Sequence, residues 1–307
     1  MTLCTDVASE RHAAAADGSH VALVEEFTAQ HLPALEAALT TSVSGLGQGL
    51  EWIESASGQA VGIRGRGGRR WRPLLTLAAA EVCGGRAEAA MDAAVAIELT
   101  HTASLVLDDL PCMDDTALRR GQMATHRVVG SAGAILVAVG LLGRAAELLG
   151  TSRAGGILAA EWGLTIGLEG MSGGQAVDVA HAGSGAARAA ARRLHRRKTT
   201  ALSAFALLAG AQSVGARPAV AGALARFGRD LGWAYQLADD AEDLSEDHSA
   251  GRAPGGRSPR RQSDFILARA QRQLTRAAVV PPGGTRLLTA LAEAVVRGSQ
   301  QGRVLAR

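Results

Sequence analysis

The sequence predicts an all-α protein, a single-domain bundle of about ten or more helices. Three observations carry this. Apolar residues recur at mixed three- and four-residue spacing along most of the 307 residues, and no segment sustains period-two alternation. The composition is 47% hydrophobic yet 3% aromatic, with abundant Ala and Leu, which favours helices. The length fits one large domain, and no shift in composition marks a second.

Residues 1–20, MTLCTDVASERHAAAADGSH, read as a flexible N-terminal extension: they carry acids early and no apolar core of signal-peptide type. The helical domain is expected over 21–307. VALVEEFTAQHLPALEAALTTSV (21–43) is an amphipathic helix, bent at Pro33. GIRGRGGRRWRP (62–73) is a Gly/Arg loop. Pro73 suits the first turn of a helix that Gly84-Gly85 closes. AAMDAAVAIELTHTASLVLDDL (89–110) is apolar almost all round and therefore central. Further helices are expected at about 132–149, 155–178, 189–211, 218–246, 262–278 and 284–297. A loop is expected at about 246–264, rich in Gly, Pro, Ser and Arg. No run of ~18 apolar residues marks a membrane span.

The net charge is +3, from 32 Lys+Arg against 29 acids. Arginines cluster at 64–72, 192–197 and 252–261, and no recognition module with interleaved aromatics appears. This pattern fits small phosphorylated ligands and argues against nucleic acid. Cys4, Cys83 and Cys112 are odd in number and lack metal-ligand spacing, which points to a reduced, cytoplasmic compartment. Among the 32 basic residues a single one is lysine: Lys198, in HRRKTTAL (195–202). A compact ammonium does what a planar fork cannot. A drifting surface residue is the alternative, and the neighbours must decide.

Acids decide more. LVLDDLPCMDD places Asp108, Asp109, Asp114 and Asp115 at the end of the most apolar helix. YQLADDAED places Asp239, Asp240, Glu242 and Asp243 in another apolar segment. Unpaired like charges buried together cost several kcal/mol, so a cation is expected between them. Asp239 and Asp243 share a helix face, and Pro111 re-aims Asp114 toward Asp108. Two carboxylate sets across a cavity suit magnesium, which takes its remaining ligands from substrate phosphates. Two solvated acidic patches are the alternative. With Arg119 and Arg120 close behind the first cluster, the pattern describes a diphosphate-handling site.

HTASLVLDDLPCMDDTALRRG (101–121) resembles the first aspartate-rich motif of the all-trans polyprenyl diphosphate synthases, most closely the bacterial, carotenoid-type geranylgeranyl diphosphate synthases. YQLADDAED resembles their second motif. GGRRWRP (67–73), GGQAVD (173–178) and RKTTAL (197–202) fall in family order, so the likeness covers roughly 60–245. It implies an isoprenoid-synthase-type bundle around a central apolar cavity, and a magnesium-dependent condensation of isopentenyl diphosphate with an allylic diphosphate. It implies that Asp108, Asp114 and Asp239 bind Mg2+, with Asp109, Asp240 and Asp243 in support and Asp243 counted among the metal ligands. Arg119 and Lys198 would hold the allylic diphosphate. Arg69, Arg72, His101 and Arg120 would hold isopentenyl diphosphate, and Thr199 and Gln236 would face the developing cation.

Small Ala103 and Ser104, one turn before Asp108, imply a tunnel deep enough for a C20 product, geranylgeranyl diphosphate. A homodimer is implied as well. The stretch after the second motif has no lysine where the family carries two, and Arg69 stands where lysine is usual. A non-catalytic homologue that pairs with an active synthase is therefore one alternative; a terpene cyclase of the same fold is another. His126, His181 and His195 read as scaffold, and Trp71 and Trp233 as packing.

Overall fold

The computed structural model describes residues 4–63, 67–181, 188–246, 258–276 and 281–301, with backbone alone at 4–17, 178, 181, 188–197, 240, 242–246 and 299–301. The described residues form eleven α-helices: α1 Cys4–Ser42, α2 Glu51–Val61, α3 Trp71–Val82, α4 Met91–Asp108, α5 Thr125–Thr151, α6 Gly155–Ile166, α7 Met171–His181, α8 Arg188–Ser213, α9 Pro218–Glu246, α10 Pro259–Arg276 and α11 Pro282–Gln301. A two-stranded hairpin, β1 Leu118–Arg119 and β2 Gln122–Met123, pairs Leu118 with Met123 and Arg119 with Gln122.

Helices α3, α4, α8 and α9 make the centre. Every residue of α3 except Glu81 is buried, and α4 is buried continuously from Ala93 to Thr100. Missing side chains let the central helices approach closely. A Cβ on Gly210 of α8 would stand 2.0 Å from the Thr76 carbonyl oxygen of α3. On α9, Gly228 and Gly232 give the same clearance over Ser203 of α8. That close crossing sets Thr199 and Gln236 opposite one another, one turn further along each helix.

The chain departs from expectation in four places. Helix α1 starts at Cys4, so its backbone is helical through most of the segment expected as a loose extension; the Ala-rich stretch there favours this. Pro33 falls inside this helix, as the single helix expected over 21–43 requires. Helix α2 was not expected, because EWIESASGQAV is short and weakly apolar; Gly62 closes it at φ 88°. The single helix expected over 155–178 is two. Gly167 leaves the helix in extended geometry, and at Gly170 a Cβ would fall 1.9 Å from the Thr165 carbonyl oxygen. Residues 247–257 of the expected arginine loop lie outside the described residues, and α10 begins inside its last part, at Pro259.

Among the described residues, two segments are long and apolar enough to cross a membrane, Ala87–Asp108 and α5. The first is the core of the bundle, two-thirds buried; α5 is one-third buried. It exposes Ile135, Leu136 and Val139, and neighbouring α6 exposes Ile157 and Leu164. An apolar face is thus left uncovered on this side of the bundle.

Candidate active site

Helix α4 ends at Asp108 because Pro111 cannot continue the backbone hydrogen bonds. The chain folds back into a turn instead. Asp114 N–H donates to the Asp108 carbonyl at 2.9 Å, and Asp115 N–H to that of Leu110 at 3.1 Å. The turn thus brings Asp114 back to Asp108. Asp108 and Asp109 are buried, whereas Asp114 and Asp115 are exposed. Asp115 adopts φ 46° and pairs with Arg127 at 3.0 Å.

Lys198 answers the question its solitude raised. Its ammonium donates to Asp108 Oδ2 and to Gln175 Oε1, both at 2.6 Å. Two acceptors so close around one nitrogen suit a compact ammonium better than a guanidinium. Burial pushes the Asp108 carboxyl above its ordinary range, Lys198 opposes this, and the charge of Asp114 adds to it.

The hairpin supplies two more cations. Arg120 and Gly121 both have positive φ, 54° and 77°, as a tight two-residue turn requires. Arg119 beside them locks onto the carboxylate of Asp109 through Nε, at 3.0 and 3.2 Å, and through Nη2. That pairing holds the Arg119 guanidinium protonated more firmly than usual, against the effect of burial. Arg120 points inward, its Nη2 4.0 Å from Glu98 of α4, and its Nη1 is buried with no hydrogen-bond partner. Its guanidinium passes over Gly68, where a Cβ would sit 2.6 Å from Nη2.

The Gly/Arg loop and the start of α3 form the facing wall. Arg69 Nη2 donates to the Tyr235 hydroxyl of α9 at 2.7 Å. Arg70, at φ 48°, borders the cavity but is tied into a buried ion cluster, 2.7 Å from both Glu36 of α1 and Glu98. Arg72 lies over Trp71, 4.1 Å from the ring centroid, and its Nη1 is 3.4 Å from His101 Nε2. Burial lowers the Arg72 pKa to about 10, and its Nε has no partner. Burial, then Arg72 and Arg120, hold the His101 imidazole well below its ordinary 6.5, so it is neutral. Two buried donors without acceptors, on Arg72 and Arg120, face a site built for an anion.

These groups surround one cavity of about 500 Å3. Asp108 borders it from the first acidic motif and Asp239 from the second. Arg69, Arg72, His101, Arg119, Arg120 and Lys198 line it, as do Thr199 and Gln236, joined by a 2.9 Å hydrogen bond. Trp71, Leu105, Met171 and Leu202 add apolar wall. Ser104 lines the cavity, while Ala103 is fully buried in the helix packing and is not among the lining residues. Asp109 stands behind the wall in its pair with Arg119. Asp240 and Asp243 lie on α9, but their side chains are outside the described residues.

The polyprenyl synthetase family profile matches residues 51–255, about two-thirds of the chain. The chain belongs to this family. It is 38% identical over 187 residues to the chloroplastic geranylgeranyl pyrophosphate synthase of Capsicum annuum, covering 59% of this chain and 51% of that protein. It is 35% identical over 240 residues to the dimethylallyltranstransferase of Fischerella ambigua, covering 75% and 67%. The chain thus spans about half the length of the chloroplastic relatives it matches. In structure it is similar to an FPP/GFPP synthase from Zymomonas mobilis, with TM-score 0.79 at 28% identity, covering 90% of this chain and 99% of that one.

Family order accounts for the motif residues but not for their supports. Glu98, Arg70, Tyr235 and Gln175 were not singled out from sequence. Glu98 carried a legible signal: a lone acid inside AAVAIELT must meet a cation once buried. Tyr235 and Gln175 gave less, since a polar residue beside a motif does not reveal its partner. Oxygen donors at Asp108 and Asp239 on one cavity are the ligand type magnesium takes. Among the described residues no three metal-ligating side chains cluster.

Proposed function

We propose that this chain is a magnesium-dependent prenyltransferase that joins isopentenyl diphosphate to an allylic diphosphate, releasing diphosphate and an all-trans product of about twenty carbons. One observation carries the reading. Asp108 and Asp239, 131 positions apart, border the same cavity as Lys198 and Arg119. Acids from two motifs, with one cation from the first of them and one from RKTTAL, converge where a diphosphate would sit.

Asp108, Asp114, Asp239 and Asp243, with Asp109 and Asp240 in support, would hold magnesium, which supplies positive charge to the leaving diphosphate. Arg119 and Lys198 take up negative charge on the same group as the allylic C–O bond breaks and its electron pair departs. Asp109 keeps Arg119 aimed; Gln175 keeps Lys198 aimed. Arg69, Arg72, Arg120 and neutral His101 bind the second diphosphate on the facing wall. The double bond of isopentenyl diphosphate attacks the allylic carbon, and the adjacent C–H proton leaves to the released diphosphate. Oxygen dipoles of Thr199 and Gln236 face the cationic carbons, and Trp71, Leu105, Met171 and Leu202 keep water from capturing them.

Ser104 leaves space along the cavity wall, which favours C20 over C15. The uncovered apolar face of α5 and α6 favours pairing of two copies. Unpaired Cys83 and Cys112 favour a reduced, cytoplasmic setting. The test is product analysis. Purified chain with magnesium, isopentenyl diphosphate and farnesyl diphosphate is expected to form geranylgeranyl diphosphate. No product, or cyclic hydrocarbon from the allylic substrate alone, would overturn the proposal.

A further inference from the structure

Tyr235 is the chain's single tyrosine, and the reaction above gives it no task. It precedes Asp239 by one helical turn on α9, and both line the cavity. Its ring stacks at a tilt on Trp71, with centroids 5.3 Å apart, and lies under the Arg69 guanidinium, 5.4 Å from its carbon. Its hydroxyl accepts a hydrogen bond from Arg69 Nη2 at 2.7 Å. The Asp239 carboxylate stands one turn on along the same helix and borders the same cavity; after burial, its charge is the next cause that raises the phenol's pKa. One phenol therefore stands between the basic wall and the second acidic motif.

The chemistry gives this bridge a direction. A phenol beside a carboxylate charge becomes a better acceptor, because polar groups in a chain polarise one another. While Asp239 is an available anion, the phenol oxygen grips Arg69 strongly. When Asp239 is engaged by cations, its pull on the phenol proton weakens and so does the grip on Arg69. Arginine suits the exchange: its fork can release one nitrogen to a phosphate while another still touches the ring.

We propose that Tyr235 is a positioning residue that couples the two half-sites, holding Arg69 until the second acidic motif is occupied and then yielding it to the second diphosphate. The inference rests on the two-diphosphate reading of the site given above.

Calorimetric titration of isopentenyl diphosphate into the full chain tests it. One titration uses the protein alone; the other adds magnesium and farnesyl thiodiphosphate, whose bridging sulfur blocks ionisation. The wild-type chain is expected to bind at least about fivefold tighter in the second titration, the lower end of ordinary coupling between sites. In Tyr235→Phe that ratio is expected to shrink by about threefold or more. A packing role would weaken both titrations alike and leave the ratio unchanged; that result overturns the proposal. A second measurement does not depend on the variant. Incorporated 3-fluorotyrosine gives a single 19F resonance, expected to shift when magnesium and inorganic pyrophosphate are added. A resonance that stays in place also overturns the proposal. Coupled binding without any product would count against prenyl transfer and leave the coupling standing.

Discussion

Replacing Glu98 by Gln should destabilise the fold more than any single change at the surface of the same ion cluster. The Glu98 and Arg70 side chains are 3% and 1% exposed and 2.7 Å apart, whereas Glu36, the other partner of Arg70, is 38% exposed. Gln keeps the shape of Glu98 and removes its charge. Arg70 is left with a partner half in water, and Arg120 loses the carboxylate beside it. Breaking a buried pair by removing one charge costs about 3–5 kcal/mol. Arg70 keeps Glu36, so the lower end applies, ~3 kcal/mol. Glu36→Gln, at a partly solvated position, should cost ~1 kcal/mol. For a chain of 307 residues at ~2.1 cal/mol/K of unfolding entropy per residue, the first figure lowers Tm by roughly 5 °C. Urea unfolding followed by circular dichroism, on both variants and the double variant, measures these differences. Equal costs for the two substitutions, or a Glu98→Gln cost below about 1 kcal/mol, would refute the reasoning.

The reaction and its pH dependence give further expectations. Lys198→Arg should cut prenyl transfer by ~100-fold, because a fork cannot sit 2.6 Å from both Asp108 and Gln175; steady-state kinetics decide it. Ser104→Phe should shorten the product to C15 by chromatography, whereas Ala103→Phe should overpack the helix interface and cost ~1–3 kcal/mol of stability. His101 is neutral in the fold because its pKa lies well below 6.5. The unfolded chain takes up that proton first, so the contribution of His101 to stability is present above pH 6.5 and lost as pH falls through it. From pH 7 to pH 5, His101→Asn should therefore lose ~2 kcal/mol less stability than the wild type. An identical fall in both proteins would contradict this.

Helix identity was legible where one-sided burial imposes its period, as in α10 and α11, and in α3 and α4 from apolar runs too long for strands. Helix α2 escaped because its buried face is Ala56, Ser57, Gly58 and Val61, too small to register as an apolar stripe. The break between α6 and α7 escaped because Gly167 and Gly170 act by removing steric bulk, which leaves no mark on periodicity. In the site, charge was legible and pairing was not. Residue type shows that Arg69, Arg70 and Arg72 are cations. All three border the cavity, and only the left-handed backbone at Arg70 shows that this one is tied to Glu36 and Glu98. The hairpin turn that aims Arg119 and Arg120 in different directions rests likewise on two positive φ angles.

The most direct test of the shared acidic site is calorimetric binding of inorganic pyrophosphate with magnesium to the wild type, Asp108→Asn, Asp239→Asn and the double variant. Two carboxylates acting on one ligand as a unit predict that each single substitution weakens binding nearly as much as both together. Independent, additive losses, or wild-type affinity in either single variant, would contradict it.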